Sequence, residues 1–175
     1  MAKPTEIKAA MERVESILAE RPAKAMMTKS VTAESINGLQ CTISDGEFTI
    51  TADMPEVIGG ENTAMTPGNI ALSALAACLN IGYAMVFAKQ GIAIDKLSVE
   101  VQADFDQRAA VAVPGVETGF LGVRYCIDLE SAAERADILA ALDDNDALSP
   151  VLQSFIKPVP VAREVYINQA QEAAK

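Results

Sequence analysis

Apolar and polar residues follow two different periods along the chain. Ile7, Met11, Val14, Ile17 and Leu18 recur at helical spacing among Glu and Arg. That predicts an amphipathic helix over residues 5–20, N-capped by Thr5 and ended by Pro22. Residues 24–57 change to a β pattern. Asn37-Gly38 separates the apolar-rich runs 31–36 and 39–43, and Asp45-Gly46 precedes 48–52. Such dipeptides favour two-residue hairpins, so three antiparallel strands in a meander are expected. Thr66-Pro67 reads as N-cap and first helical residue, and Gly91 follows Gln90 as a stop. The segment between them is apolar nearly all round, as in a buried central helix. Leu97, Val99, Val101, Ala103 and Phe105 alternate with polar residues, as do Val123, Tyr125, Ile127 and Leu129. Strands are therefore expected over 96–107 and 119–129. A helix over 131–142 should break at the acidic run Asp143-Asp144-Asn145-Asp146, read as a solvated helix end. Ser149-Pro150 should open a short helix, and a last strand should close the domain over 159–167.

The order α, βββ, long α, ββ, αα, β defines an α+β fold: antiparallel strands wrapped on a long buried central helix. No repeat or linker divides residues 1–175, so one domain is expected, with residues 1–22 as its N-terminal amphipathic helix. Residues 62–88 carry no charge, as a membrane span would. Pro67, Gly68, Asn69, Ser73, Asn80 and Gly82 interrupt them, which favours a core helix over a span.

Composition narrows the chemistry. The 175 residues hold 14 Lys+Arg against 24 Asp+Glu, a net charge of −10, and no histidine. The acidity disfavours nucleic acid and anionic membranes as partners. Without histidine there is no Ser–His or Cys–His mechanism and no His metal ligand. Proton transfer falls to a carboxylate, Lys, Tyr, Cys or water. Half of the residues are hydrophobic, a large apolar fraction that suits a subunit interface as well as a core.

Three cysteines, Cys41, Cys78 and Cys126, form no CxxC pair. Neither a disulfide framework nor a Cys-rich metal site is expected, and the N-terminal segment lacks the apolar core of a signal peptide. A reducing, cytoplasmic setting follows. Cys41 reads as core and Cys126 as an ordinary strand residue, with Arg124 beside it at the surface. Cys78 lies within the central helix, with Ala74, Leu75, Ile81 and Gly82 three and four residues away. It is either a small buried hydrophobe or a reactive thiol with room beside it.

Thr66-Pro67, the run Leu72-Ser73-Ala74-Leu75-Ala76-Ala77-Cys78 and Phe87-Ala88-Lys89-Gln90-Gly91-Ile92 resemble the central helix of the OsmC/Ohr family. These are osmotically inducible and organic-hydroperoxide-resistance proteins. Ile58-Gly59-Gly60-Glu61-Asn62 is similar to the family's approach to that helix. Ser149-Pro150-Val151 with Pro158-Val159-Pro160-Val161 resembles its C-terminal signature. The match spans roughly residues 30–167. The resemblance implies an OsmC-like fold in an intertwined homodimer and a thiol peroxidase that needs neither cofactor nor metal. In the family a peroxidatic cysteine attacks an organic hydroperoxide, and a second cysteine resolves the sulfenic acid to a disulfide that a dithiol reduces.

Cys78 matches the peroxidatic position. Ser149 stands where the second cysteine would fall, and its simplest role is an N-cap. Gly68 stands where the peroxidases carry a Glu, and the first hairpin has Asn37-Gly38 and no Arg. Glu61 is a candidate substitute carboxylate. Two functions follow. One is hydroperoxide reduction by a single peroxidatic cysteine, regenerated by an external thiol reductant. The other is a non-catalytic module holding a small apolar ligand beside Cys78, against Ala71, Ala74, Leu75, Gly82 and Met85.

Overall fold

A computed structural model describes residues 3–167. Helix α1 spans Pro4–Glu20. Strands β1 (Thr32–Asn37), β2 (Gln40–Ser44) and β3 (Thr49–Ala52) form the expected antiparallel meander. Thr32 lies opposite Ser44, and Cys41 opposite Ala52. Helix α2 spans Pro67–Gln90. Strands β4 (Lys96–Phe105) and β5 (Phe120–Glu130) pair antiparallel, with Val101 opposite Tyr125. One helical turn, α3 (Gln107–Ala110), lies between them. Helices α4 (Arg135–Leu148) and α5 (Pro150–Ile156) follow.

The caps explain most of the boundaries. Thr66 Oγ1 accepts the Asn69 N–H at the start of α2, and Gly91 closes its end in a left-handed conformation. Ser149 Oγ accepts the Leu152 N–H and so opens α5. Such side-chain caps contribute about 1 kcal/mol each. At α1 the cap is Lys3 rather than Thr5: the helix begins two residues earlier than its sequence pattern predicts, and the Glu6 carboxylate accepts the Lys3 N–H at 2.8 Å.

The core sits where α2 meets α4, α5 and the β4–β5 pair. Leu75, Leu79, Tyr83 and Phe87 repeat at four-residue spacing on the inner side of α2 and are buried with Ala141 and Leu152. Val99, Val101, Tyr125 and Ile127 cover them from the sheet. Each large apolar side chain buried here stabilises the fold by roughly 2 kcal/mol. By length and composition α2 could cross a membrane, but in this fold it is the spine of the core.

Three expectations change. Helix α4 does not stop at residue 142 but runs through the acidic segment to Leu148. Asn145 is buried there and Asp146 accepts hydrogen bonds from within the fold, so the segment is not a solvated end. No strand forms within 159–167, because a strand exists only against a paired edge and this segment meets none among the described residues. Finally, α2 is buried on one side only. Ala74, Ala77, Ile81, Ala84 and Met85 stay exposed, and the β1–β3 meander packs extensively on none of the helices. Ile36, Leu39, Phe48 and Ile50 of that meander are likewise exposed.

Candidate functional site

Cys78 is half-buried near the middle of α2, and its Sγ lies 3.3 Å from the Ser149 hydroxyl. The two residues are 71 apart in sequence. Ser149 is only 3% exposed. It ends α4, where its N–H donates to the Asn145 carbonyl at 2.7 Å, and it caps α5. The sulfur therefore rests against the corner between two helices.

One turn further along α2, Gly82 faces Asn145 of α4. A Cβ at position 82 would collide with the Asn145 carboxamide oxygen, so glycine here is what lets the amide in. Gly82 belongs to a packed helix contact. The neighbouring Asp146 carboxylate accepts from Tyr83 Oη at 2.6 Å and from Tyr125 Oη at 2.5 Å. This bracket ties α2, α4 and β5 together. Burial, reinforced by the same carboxylate, pushes both phenols up: Tyr125 to about 12, and Tyr83 well above the usual tyrosine range.

The approach loop is built around a second buried carboxylate. Asp53 is 1% exposed and accepts from the backbone N–H groups of Met54, Glu61 and Thr63 and from the Thr63 hydroxyl. The Thr63 bonds come first among the causes that hold its carboxyl down at about 2. Gly60 packs against the Met54 carbonyl, where any Cβ would collide. The Gly59-Gly60 pair is therefore a requirement of the loop's path. Glu61 is exposed on this loop. Its main chain bonds to Asp53, and the hydrogen-bond partner of Cys78 is Ser149 rather than Glu61.

The other candidates scatter. Leu75 lies beneath an open apolar depression of about 440 Å³ that it shares with Phe120, Val123, Tyr125, Leu152 and Phe155. The rings of Phe120 and Phe155 stack there with centroids 6.2 Å apart. Ala74 and Met85 stand on the exposed side of α2, so the single chain does not gather Ala74, Leu75, Gly82 and Met85 around one cavity. Arg124 pairs with Asp104 at 2.6 Å on the exposed face of the sheet. Cys41 is half-buried in β2 and Cys126 exposed in β5, both free thiols. Among the described residues no group of three or more acidic or cysteine side chains converges as a metal site would require. The sequence reading missed Asn145, Asp146, Tyr83, Tyr125 and Asp53. The available signal was Tyr83 itself, a hydroxyl on the buried side of an apolar helix, which demands a partner.

A long cysteine-bearing helix with one antiparallel pair, β4–β5, and the helices α4 and α5 packed on one side makes a mixed α+β fold. The family model described as OsmC-like protein matches residues 60–164. The chain belongs to the OsmC-like family. Among solved structures it is similar to an OsmC-like protein from Mycoplasma pneumoniae, with 19% identity over 75% of this chain and 89% of that one, at a TM-score of 0.64. It is also similar to an organic hydroperoxide resistance protein OsmC from Legionella pneumophila, with 20% identity over 74% and 90%, at a TM-score of 0.52. The comparison with curated proteins gives no match.

Proposed function

We propose that the protein is a thiol peroxidase that reduces organic hydroperoxides through the single peroxidatic cysteine Cys78. The observation that carries this reading is the Cys78–Ser149 contact. It puts a half-buried thiol in the family's central-helix motif against a hydroxyl that can donate to the sulfur. The Cys78 thiolate would attack the terminal peroxide oxygen. An S–O bond forms, the O–O bond breaks, and the alcohol leaves with a proton. Sulfur is oxidised and the peroxide reduced by two electrons. Serine at 149 cannot close a disulfide. An external thiol therefore attacks the sulfenic acid and water leaves, and a second thiol releases Cys78 as the free thiol.

The apolar depression beside Leu75, one turn before Cys78, suits the organic part of such a peroxide. The bare outer side of α2 and the unpacked β1–β3 meander support a homodimer in which a second copy covers them. The test is consumption of cumene hydroperoxide with dithiothreitol as reductant, wild type against Cys78→Ser. Loss of turnover in the variant supports the reading, and equal rates overturn it.

A further inference from the structure

The contact between α2 and α4 is built in layers. Cys78 meets Ser149; four residues on along α2, Gly82 meets Asn145, which is four residues before Ser149 on α4. The helices are therefore antiparallel at this seam, and the Asn145 amide lies one helical turn, about 5.4 Å, from the thiol's layer. Asn145 is 6% exposed, and its Nδ2 makes no hydrogen bond. It is the one buried side-chain nitrogen or oxygen among the described residues left in that condition. An amide donor left so costs about 1–3 kcal/mol. Gly82, where any side-chain carbon would expel the amide, holds it in this place. A donor kept buried, unpaired and seated by a glycine calls for a state of the molecule in which its bond is made.

Oxidation of Cys78 supplies the acceptor. In the reduced protein the thiol needs only Ser149, whose oxygen also accepts the Leu152 N–H. A hydroperoxide leaves one oxygen on Sγ, an added acceptor in a layer whose only hydroxyl is already engaged. We propose that the Asn145 carboxamide is the donor held in reserve for that oxygen, so that the seam between α2 and α4 stabilises the sulfenic form of Cys78. The inference rests on the peroxidase reading above. With Ser149 in place of a resolving cysteine, the sulfenic acid must survive until an external thiol arrives. A donor on its oxygen prolongs that interval and opposes further oxidation to the sulfinic acid.

The test uses the full chain, reduced and then treated with one equivalent of cumene hydroperoxide. Dimedone is added after increasing delays, and the adduct at Cys78 is quantified by mass spectrometry. Asn145→Leu keeps the γ-branched heavy-atom shape, in a larger volume, and removes the donor; Asn145→Ala serves where leucine does not fit. The expected result is a sulfenic half-life shortened about tenfold in a variant that circular dichroism shows to be folded. Packing alone would move the urea midpoint and leave the half-life unchanged, and that outcome overturns the inference. An adduct in wild type with an equal half-life in the variants refutes the role of Asn145 only. No adduct at Cys78 in wild type removes the peroxidase reading and this inference together.

Discussion

The sulfur of Cys78 and the hydroxyl of Ser149 meet at 3.3 Å across a sequence separation of 71 residues. The pairing brings the centre of α2 to the corner between α4 and α5. Serine at 149 makes this contact with a hydroxyl and offers no second thiol.

Placing a thiol at 149 should therefore allow a disulfide. Ser149→Cys is expected to form an intramolecular bond with Cys78 on mild oxidation, seen as the loss of two thiols and about 2 Da per chain. Closing a loop of this length should stabilise the oxidised variant by up to about 4 kcal/mol on the chain-entropy model. Free thiols that persist after peroxide would show that the side chains cannot reach bonding geometry.

Ser149→Ala should lower stability by about 1 kcal/mol in urea denaturation, since Ser149 also caps α5. A larger loss would mean that the Cys78 contact contributes beyond the cap.

Gly82→Ala places a carbon into the Asn145 carboxamide. The expected cost is about 1–3 kcal/mol despite alanine's better helix propensity. Asn145→Ala in the same chain should recover part of it. Additive losses in the double variant would show that the two positions do not meet.

The Tyr83–Asp146–Tyr125 bracket gives an alkaline signature. Both phenols are raised in the folded protein, Tyr125 to about 12. Unfolded tyrosine loses its proton near pH 10 while the folded phenol keeps it. Both contributions are thus complete below pH 10; that of Tyr125 is lost as pH rises through about 12, and that of Tyr83 persists to higher pH. Urea midpoints measured from pH 9 upward should fall more steeply for wild type than for Tyr125→Phe. At neutral pH Tyr125→Phe should cost about 1.5–3 kcal/mol, because the lost bond is to a carboxylate.

Asp53 gives the opposite, acid signature. Its carboxyl is held near 2, chiefly by Thr63. Its contribution is present above the unfolded carboxylate range and is lost as pH falls through that range toward 2. Asp53→Asn should remove this acid-side slope and loosen the loop over residues 53–63, read as faster amide exchange at Glu61 and Thr63. Unchanged protection there would show that the loop does not depend on the carboxylate.

The elements that local rules govern were legible in the sequence. Asn37-Gly38, Thr66-Pro67, Gly91 and Ser149-Pro150 each mark a turn or cap whose chemistry is complete within a few residues, and each marks a boundary of the structure. The 143–146 run was not legible, because its charges say solvent while Asn145 is buried and Asp146 is held by Tyr83 of α2 and Tyr125 of β5. A carboxylate's partners are tertiary facts, and periodicity contains none of them. Nor was the unpaired 159–167 segment, whose β-rich composition carries no information about where an edge is available. Cys78 and Ser149 could each be singled out along the chain, but their contact came from the fold. The orphan amide of Asn145 was beyond reach, because only a packed helix pair defines what is left unsatisfied.

The junction at Ser149 couples the surroundings of a sulfur to the set of a helix. One residue terminates α4, begins α5 and touches the sulfur. Any swing of α5 about this corner must reorient the hydroxyl at Cys78. A force or a bound molecule acting on the C-terminal arm would thus tune the thiol without touching it.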